Sequence, residues 1–216
     1  MNWKWMAVGV ALILSTSFAA RDVSAEKRAK SVRPAPIKEL AIGQSAPLAD
    51  VKLAGVSGKE TSLRDLRGPK GLLVVFSCNT CPFVVAWEDR YLEIAALCKE
   101  KGIGMVAVNS NEGNRDGVDS LGAMQTRAGE KGYTFPYVAD SMSRIADAFG
   151  AGRTPHIFLF DRNLKLVYRG AIDDNSRNAA EVKERYLANA IDALAGGRKI
   201  AVNSTNSIGC SIKRKG

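Results

Sequence analysis

The chain has 216 residues, of which 46% are hydrophobic and 25% charged, so it is long enough for one domain with a sizeable core and too short for two of ordinary size. Its net charge is +9 and much of the excess sits at the two ends, but it has neither a basic face interleaved with aromatic residues nor a nucleic-acid-binding motif. Nucleic acid is therefore not an expected partner, and the charge is interpreted as a solvated basic surface.

The first 25 residues have the pattern of a signal peptide. Lys4 supplies a positive charge, an apolar run follows over 5–14, and small residues fit cleavage after Ala19 or after Ala25. The apolar run is shorter than the roughly 20 residues that a membrane span needs, so a cleaved peptide is predicted rather than a permanent anchor. The mature protein is expected to be exported, to the periplasm or the extracellular space, where disulfides are permitted.

Residues 26–40 are polar, basic and Pro-containing, and are predicted to form a flexible lead-in to a domain over 41–197. The elements predicted in that domain are a hairpin over 46–63, a buried strand over 71–76, a helix over 82–101, a buried strand over 103–108, a helix over 121–131, an extended piece over 135–140, a helix over 140–149, a hairpin over 156–170 and an amphipathic helix capped by Asn178 that stops at Gly196. The early β-α-β unit predicts parallel pairing and the late hairpin predicts antiparallel strands, which together make an α/β fold with a central mixed sheet flanked by helices. The tail over 198–216 is basic and carries Cys210.

A C-x-x-C pair, Cys78 and Cys81, stands where the first buried strand meets the first helix. The free N–H groups and the dipole of a helix N-terminus stabilise a thiolate, so Cys78 is predicted to be an exposed nucleophile and Cys81 the thiol that resolves its mixed disulfide. A bond across so short a ring suits exchange better than structural bridging. Half of a zinc site is the alternative, but the other two cysteines and the one histidine are distant in sequence, so no metal and no cofactor is predicted.

The other two cysteines differ from this pair. Cys98 falls on the apolar stripe of the predicted helix, where it is expected to be a core residue. Cys210 has two open interpretations, as a resolving or third redox thiol and as a docked tail residue.

Six short motifs accompany the cysteine pair: Phe76–Phe83, Val108–Asn111, Phe135–Tyr137, Thr154–His156, Tyr168–Asp174 and Gly209–Lys213. In this combination the chain resembles the redoxin branch of the thioredoxin fold, and more narrowly the peroxiredoxin-like redoxins of the alkyl-hydroperoxide-reductase/thiol-specific-antioxidant type. The resemblance implies a thioredoxin-like fold with an N-terminal β-hairpin. It also implies that Pro155 is cis and faces the two sulfurs, and that the backbone of Thr154 binds the extended segment of a partner.

Two positions depart from the families that the chain resembles. Ser77 stands where thioredoxins usually carry an aromatic residue, and Val75 stands where peroxiredoxins place a Thr three residues before the peroxidatic cysteine. The second departure argues against efficient peroxidase chemistry at Cys78.

The predicted function is an extracytoplasmic thiol-disulfide oxidoreductase that exchanges disulfides through Cys78 and Cys81. Its expected partners are protein thiols or disulfides, or a reducing partner protein. One alternative is a peroxiredoxin-like antioxidant that reduces peroxides through Cys78. The other is a copper-binding redox chaperone, in which His156, next to Pro155, would add an imidazole ligand to the two thiolates.

Overall fold

The computed structural model describes residue 1 and residues 38–216, so the predictions of a signal peptide over 1–25 and of most of the lead-in lie outside the described residues. The strands of the described part are β1 Leu53–Gly55, β2 Glu60–Thr61, β3 Gly71–Ser77, β4 Ile103–Asn109, β5 Tyr137–Ala139, β6 Arg153–Thr154, β7 His156–Asp161, β8 Leu166–Gly170 and β9 Cys210–Ser211. The α-helices are α1 Pro82–Glu100, α2 Leu121–Glu130, α3 Arg144–Phe149 and α4 Tyr186–Ala195.

Seven of the strands form one mixed sheet in the order β2-β1-β5-β4-β3-β7-β8. Strand β4 is parallel to both β3 and β5, whereas β7 is antiparallel to β3 and to β8. The remaining two strands, β6 and β9, pair with each other in a separate antiparallel ribbon. The predicted central mixed sheet and N-terminal hairpin (β1 with β2) are confirmed.

Strand β3 lies at the centre of the molecule, and all seven of its residues are buried. Because successive side chains of a strand point to opposite faces, β3 contributes to two hydrophobic clusters. Leu73 and Val75 join the cluster that contains α1 and α4, and Phe76 joins the cluster on the other face. There Phe76 packs edge-to-face on Phe149 of α3, with ring centroids 5.4 Å apart. A strand that is covered on both faces has apolar residues at nearly every position. The continuous apolar run in the sequence therefore predicts β3 well.

Helix α1 buries the stripe that its sequence predicts, which includes Trp87, Tyr91 and Ile94. Cys98 extends the stripe and is 1% exposed, so its prediction as a core residue is confirmed. Burial raises the pKa of the Cys98 thiol to about 12, which keeps it protonated and unreactive. Among the residues that the structure describes, no helix is long and apolar enough to cross a membrane.

Two boundaries differ from the predictions. Asn178 caps only a 3₁₀ turn over Ala179–Glu181, and α4 begins at Tyr186, because the residues between them are not helical. At the other end of the domain, the Leu40 N–H donates to the Phe149 carbonyl oxygen at 2.9 Å, so the last residues of the predicted lead-in already contact the domain.

Candidate functional site

The C-x-x-C pair lies between the end of β3 and the start of α1. Strand β3 ends at Ser77, Cys78 follows it, and Cys81 is the N-cap residue of α1. Pro82 occupies the first helical position, where its missing N–H costs no hydrogen bond and its fixed φ suits a helix. This junction is formed by local sequence alone, since an apolar β run meets a proline-initiated helix there.

A second segment lies next to the pair, just before β7, the strand that neighbours β3. The Thr154–Pro155 peptide bond between β6 and β7 is cis, which confirms the isomer that the resemblance implied. The Thr154 hydroxyl lies 3.3 Å from the Cys78 sulfur, and the Thr154 carbonyl oxygen lies 3.0 Å from the Cys81 sulfur. Both predicted redox thiols therefore contact one residue of the predicted substrate-binding segment.

Neither thiol is exposed, contrary to the prediction for Cys78. Cys78 is 3% exposed and Cys81 is 5% exposed. The C-terminal tail lies beside the pair: β9 pairs antiparallel with β6, and Cys210 lies directly opposite Thr154. The backbone edge that was expected to bind the segment of a partner is occupied by the protein's own tail.

The start of α1 acts on two different cysteines. The Val84 N–H helps to lower the pKa of Cys81, and the Phe83 N–H opposes the rise in the pKa of Cys210. These are the first free donors of the helix, because Pro82 has none. The favourable end of the helix dipole therefore acts on Cys81 and Cys210, whereas the prediction assigned it to Cys78.

The two thiols of the pair have opposite shifts in pKa. The Cys78 thiol, the Cys210 thiol and the N–H groups of Val84 and Cys210 lower the pKa of Cys81 to about 4. The hydrogen bond with Cys81, together with burial, raises the pKa of Cys78. The Thr154 carbonyl opposes the charge on Cys81, since it accepts a proton only from the neutral thiol. While the tail is docked, these effects on the pKa of Cys81 outweigh that of the carbonyl, so the pair holds its negative charge on Cys81.

A buried polar cluster lies beneath the pair, in the loop over 110–120 that no sequence motif marks as part of the site. Asp119 is fully buried and accepts hydrogen bonds from the Asn79 N–H at 2.9 Å and from the Asn109 side chain at 2.8 Å. The Tyr137 hydroxyl donates to the Asn79 side chain at 2.9 Å. The carboxylate thus fixes the residue between the cysteines, and its charge raises the pKa of Cys78. The available signal was the position of this loop, at the carboxyl end of a parallel strand.

The same loop also fixes the tail. The Asn111 side chain donates to Asp119 at 3.0 Å and accepts the Lys213 N–H at 2.9 Å. Arg214 forms an ion pair with Asp147 at 2.7 Å, and Ile212 between them and β9 is 5% exposed. The tail is therefore anchored by apolar burial and by polar contacts on the far side of the site.

The structure does not bring His156 to the cysteines. His156 pairs with Phe76 in the sheet and lies against Phe158, with ring centroids 4.5 Å apart, on the face opposite the cluster that contains Cys78 and Cys81. Pro155 lies between β6, which ends at Thr154, and β7, which begins at His156, and the His156 side chain faces away from the sulfurs. Over residues 38–216, no group of three or more His, Cys, Asp or Glu side chains is arranged to hold a metal ion. The Cys₂His copper site is thus not formed.

Comparison with known proteins agrees with this fold. The Redoxin family model matches residues 41–185. Thiol-disulfide oxidoreductase ResA of Geobacillus thermodenitrificans (strain NG80-2) is 30% identical over 130 residues, which cover 59% of this chain and 67% of the relative.

Two solved structures are similar over most of the chain. One is an uncharacterized conserved protein from Geobacillus kaustophilus, with a TM-score of 0.75 and 38% identity over 81% of this chain and 93% of that one. The other is a hypothetical protein from Sinorhizobium meliloti 1021, with a TM-score of 0.75 and 34% identity over 82% of this chain and 97% of that one.

A more distant structure, of a thioredoxin-like protein in its oxidised form, has a TM-score of 0.55 and 20% identity over 71% of this chain and 97% of that one, and shows the fold alone. The predicted thioredoxin-like fold is therefore confirmed, as is the prediction of an oxidoreductase. The match to the family model spans more than half of the chain and includes both cysteines of the pair and the cis-proline segment, and the chain belongs to the Redoxin family.

Proposed function

We propose that the protein is an extracytoplasmic thiol-disulfide oxidoreductase that exchanges disulfides with protein partners through Cys78 and Cys81. The observation that carries this proposal is the convergence of both sulfurs on Thr154, at 3.3 Å and 3.0 Å, beside the cis peptide bond. The similarity to relatives named thiol-disulfide oxidoreductase supports the same reaction. Export is part of the proposal because residues 1–25 have the pattern of a signal peptide. Recovery of the protein in the cytoplasmic fraction of lysed cells would contradict export.

The partner binds where the tail now lies. An extended segment of the partner replaces β9 on the backbone of Thr154, by the strand addition that such an edge permits. Displacing β9 removes the thiol and N–H donors of Cys210 from the Cys81 sulfur. The proton that the pair shares then shifts from Cys78 to Cys81, and Cys78 becomes the thiolate.

The reaction proceeds in two exchanges. The Cys78 thiolate attacks one sulfur of the partner disulfide, and the other partner sulfur leaves as a thiolate and takes a proton. Cys81 then attacks the Cys78 sulfur of the mixed disulfide, which releases the second partner thiol and leaves a Cys78–Cys81 disulfide. Run in reverse, the same steps oxidise a partner dithiol.

Reduction of insulin disulfides with a dithiol donor tests this proposal. We expect turnover by the wild type, none by Cys78→Ser, and accumulation of a mixed disulfide with insulin in Cys81→Ser, because its resolving thiol is gone. Cys98→Ala is the matched control, since Cys98 is a buried thiol of α1 outside the site, and it should retain turnover. Rapid consumption of hydrogen peroxide without insulin turnover would overturn the proposal in favour of the peroxidase.

A further inference from the structure

The tail strand β9 directs Cys210 toward the C-x-x-C pair. Cys210 lies directly opposite Thr154 in the β6–β9 ribbon, and side chains of directly opposed residues project from the same face. Because the Thr154 hydroxyl contacts the Cys78 sulfur, Cys210 faces the same pair. Cys210 packs against the hydrophobic cluster that contains Cys78 and Cys81, and Cys81 raises the pKa of its thiol.

Contacts on both sides hold Cys210 in this position. Before it, the Arg153 guanidinium donates to the Gly209 carbonyl oxygen at 2.9 Å. After it, Ile212 is buried, and its N–H donates to the Gly152 carbonyl oxygen at 3.1 Å. Unlike the pair itself, Cys210 is only half-buried, so it is the one of the three thiols that a partner can reach while the tail is docked.

We propose that Cys210 is a third redox-active thiol, which takes over the disulfide of the Cys78–Cys81 pair by forming a Cys81–Cys210 disulfide. The inference rests on the proposed function, because that reaction supplies the oxidised pair. It also identifies where the reducing partner acts: on Cys210, the partly exposed cysteine of the tail.

The exchange is balanced within the protein. The Cys210 thiolate attacks the Cys81 sulfur; the Cys81–Cys210 bond forms as the Cys78–Cys81 bond breaks, and the electron pair leaves on Cys78, which takes a proton. One disulfide replaces another, so no external oxidant is needed for this step. A thiol of a partner dithiol then attacks the Cys210 sulfur, and Cys81 leaves and takes a proton. The second partner thiol releases Cys210, which leaves all three cysteines reduced and the partner with a disulfide.

The surroundings of Cys210 fit a thiol that becomes nucleophilic after the pair is oxidised. In the reduced protein the hydrogen bond with Cys81 is the main reason that the pKa of Cys210 is raised. A Cys81 that is bound in a disulfide carries no charge and removes that cause. The Phe83 N–H and the positive charge of Lys213 remain, and both lower the pKa of Cys210.

Disulfide mapping of the full chain tests the proposal directly. Trypsin leaves Cys78 and Cys81 on the peptide 71–90 and Cys210 on the peptide 200–213, so a linked pair of these peptides reports the exchange. After oxidation with diamide and alkylation of free thiols, we expect linked peptides with alkylated Cys78 in the wild type, and linked peptides in nearly all of the Cys78→Ser protein. Alkylated Cys210 in both proteins would overturn the proposal. A link that forms only in Cys78→Ser would also overturn the proposal. Two thiols that merely lie close together can form a disulfide without any exchange with the Cys78–Cys81 bond.

Turnover supplies the second measurement. Cys210→Ser should lower insulin turnover by roughly threefold or more while leaving the Cys78–Cys81 disulfide able to form, because the reducing partner loses its point of attack. Ser211→Ala, an exposed neighbour on the same strand, is the matched control and should leave turnover unchanged. Equal turnover in both variants would contradict the proposed role of Cys210 and would leave the proposed function unaffected. Absence of turnover even in the wild type would overturn the proposed function, and the disulfide map would still decide the role of Cys210.

Discussion

Thr154 shows how much of the site depends on one residue. Its hydroxyl contacts Cys78, its carbonyl oxygen contacts Cys81, and its backbone pairs with the strand that carries Cys210. Its side chain and backbone therefore serve different thiols, and neither role requires a large side chain. A buried hydroxyl beside a sulfur lowers the pKa of that thiol by donating to the thiolate, and Thr154 has this effect on Cys78.

His156 makes the stability of the fold depend on pH. Burial, with a smaller effect of the Arg153 charge, lowers the pKa of His156 to about 4. In the unfolded chain its pKa is about 6.5, so between these values the unfolded state binds a proton that the folded state does not. The free energy of unfolding should therefore fall as the pH falls from about 6.5 to about 4, by about 3 kcal/mol from this residue, and should be unaffected by it above that range.

Urea denaturation of the wild type and of His156→Phe, at pH 7 and near pH 4.5, measures this effect. The carboxylates contribute the same pH dependence to both proteins, so the comparison isolates His156. The wild type should lose about 2 to 3 kcal/mol more than the variant between the two pH values. Equal losses would show that His156 does not remain neutral in the folded protein.

At the scale of elements, the two-residue strand β9 decides whether the site is open. It adds to the short strand β6 rather than to the main sheet, so it can leave without disturbing the seven-stranded sheet. Its approach depends on Gly209, which is buried against the backbone of Thr154. A Cβ at this position would lie 2.2 Å from the Thr154 carbonyl oxygen, and backbone cannot move aside cheaply.

Gly209→Ala should therefore displace β9 and expose the cysteine pair. We expect alkylation of Cys78 and Cys81 by a bulky maleimide to be about tenfold faster or more than in the wild type, because local opening no longer limits access. Gly152→Ala is the matched control, since a Cβ there meets nothing within 4 Å. An unchanged alkylation rate in Gly209→Ala would show that β9 does not cover the site in solution.

At the scale of the whole molecule, the tail joins regions that are far apart in the chain. It contacts the edge of β8 through Arg169, whose carbonyl oxygen accepts the Thr205 N–H at 3.0 Å, and the loop after β4 through Asn111. A covalent bond between Cys81 and Cys210 would close a loop of more than half of the chain. The loss of unfolded-state entropy grows with the length of such a loop.

Oxidation should accordingly stabilise the Cys78→Ser protein, in which the Cys81–Cys210 bond is the one that the site can form. A loop of more than 100 residues predicts a rise of about 4 to 5 kcal/mol in the free energy of unfolding relative to the reduced form. Denaturant midpoints of the two forms provide the measurement, and the double variant Cys78→Ser/Cys210→Ser should show no such difference. If oxidation also raised the free energy of unfolding of the double variant, the stabilisation would not come from the Cys81–Cys210 bond.

The sequence by itself determined the central strands, the stripe of α1 and the position of the C-x-x-C pair. These features follow from local periodicity, from the proline at the start of α1, and from a continuous apolar run that can be buried on both faces. The resemblance added the cis Thr154–Pro155 bond, which the structure contains. Each is specified by residues that are close together in the chain.

Only the tertiary structure decided what surrounds the pair. A strand as short as β9 is too short to show an alternation of apolar and polar residues, so the sequence does not predict it. Its pairing with β6 depends on which backbone edge is free and on the fit of Gly209 against Thr154. The face on which His156 lies, and the placement of Asp119 beneath the pair, likewise depend on contacts between distant segments. Local patterns specify the reactive pair, whereas its burial, its charge and its third thiol depend on how the folded chain brings these segments together.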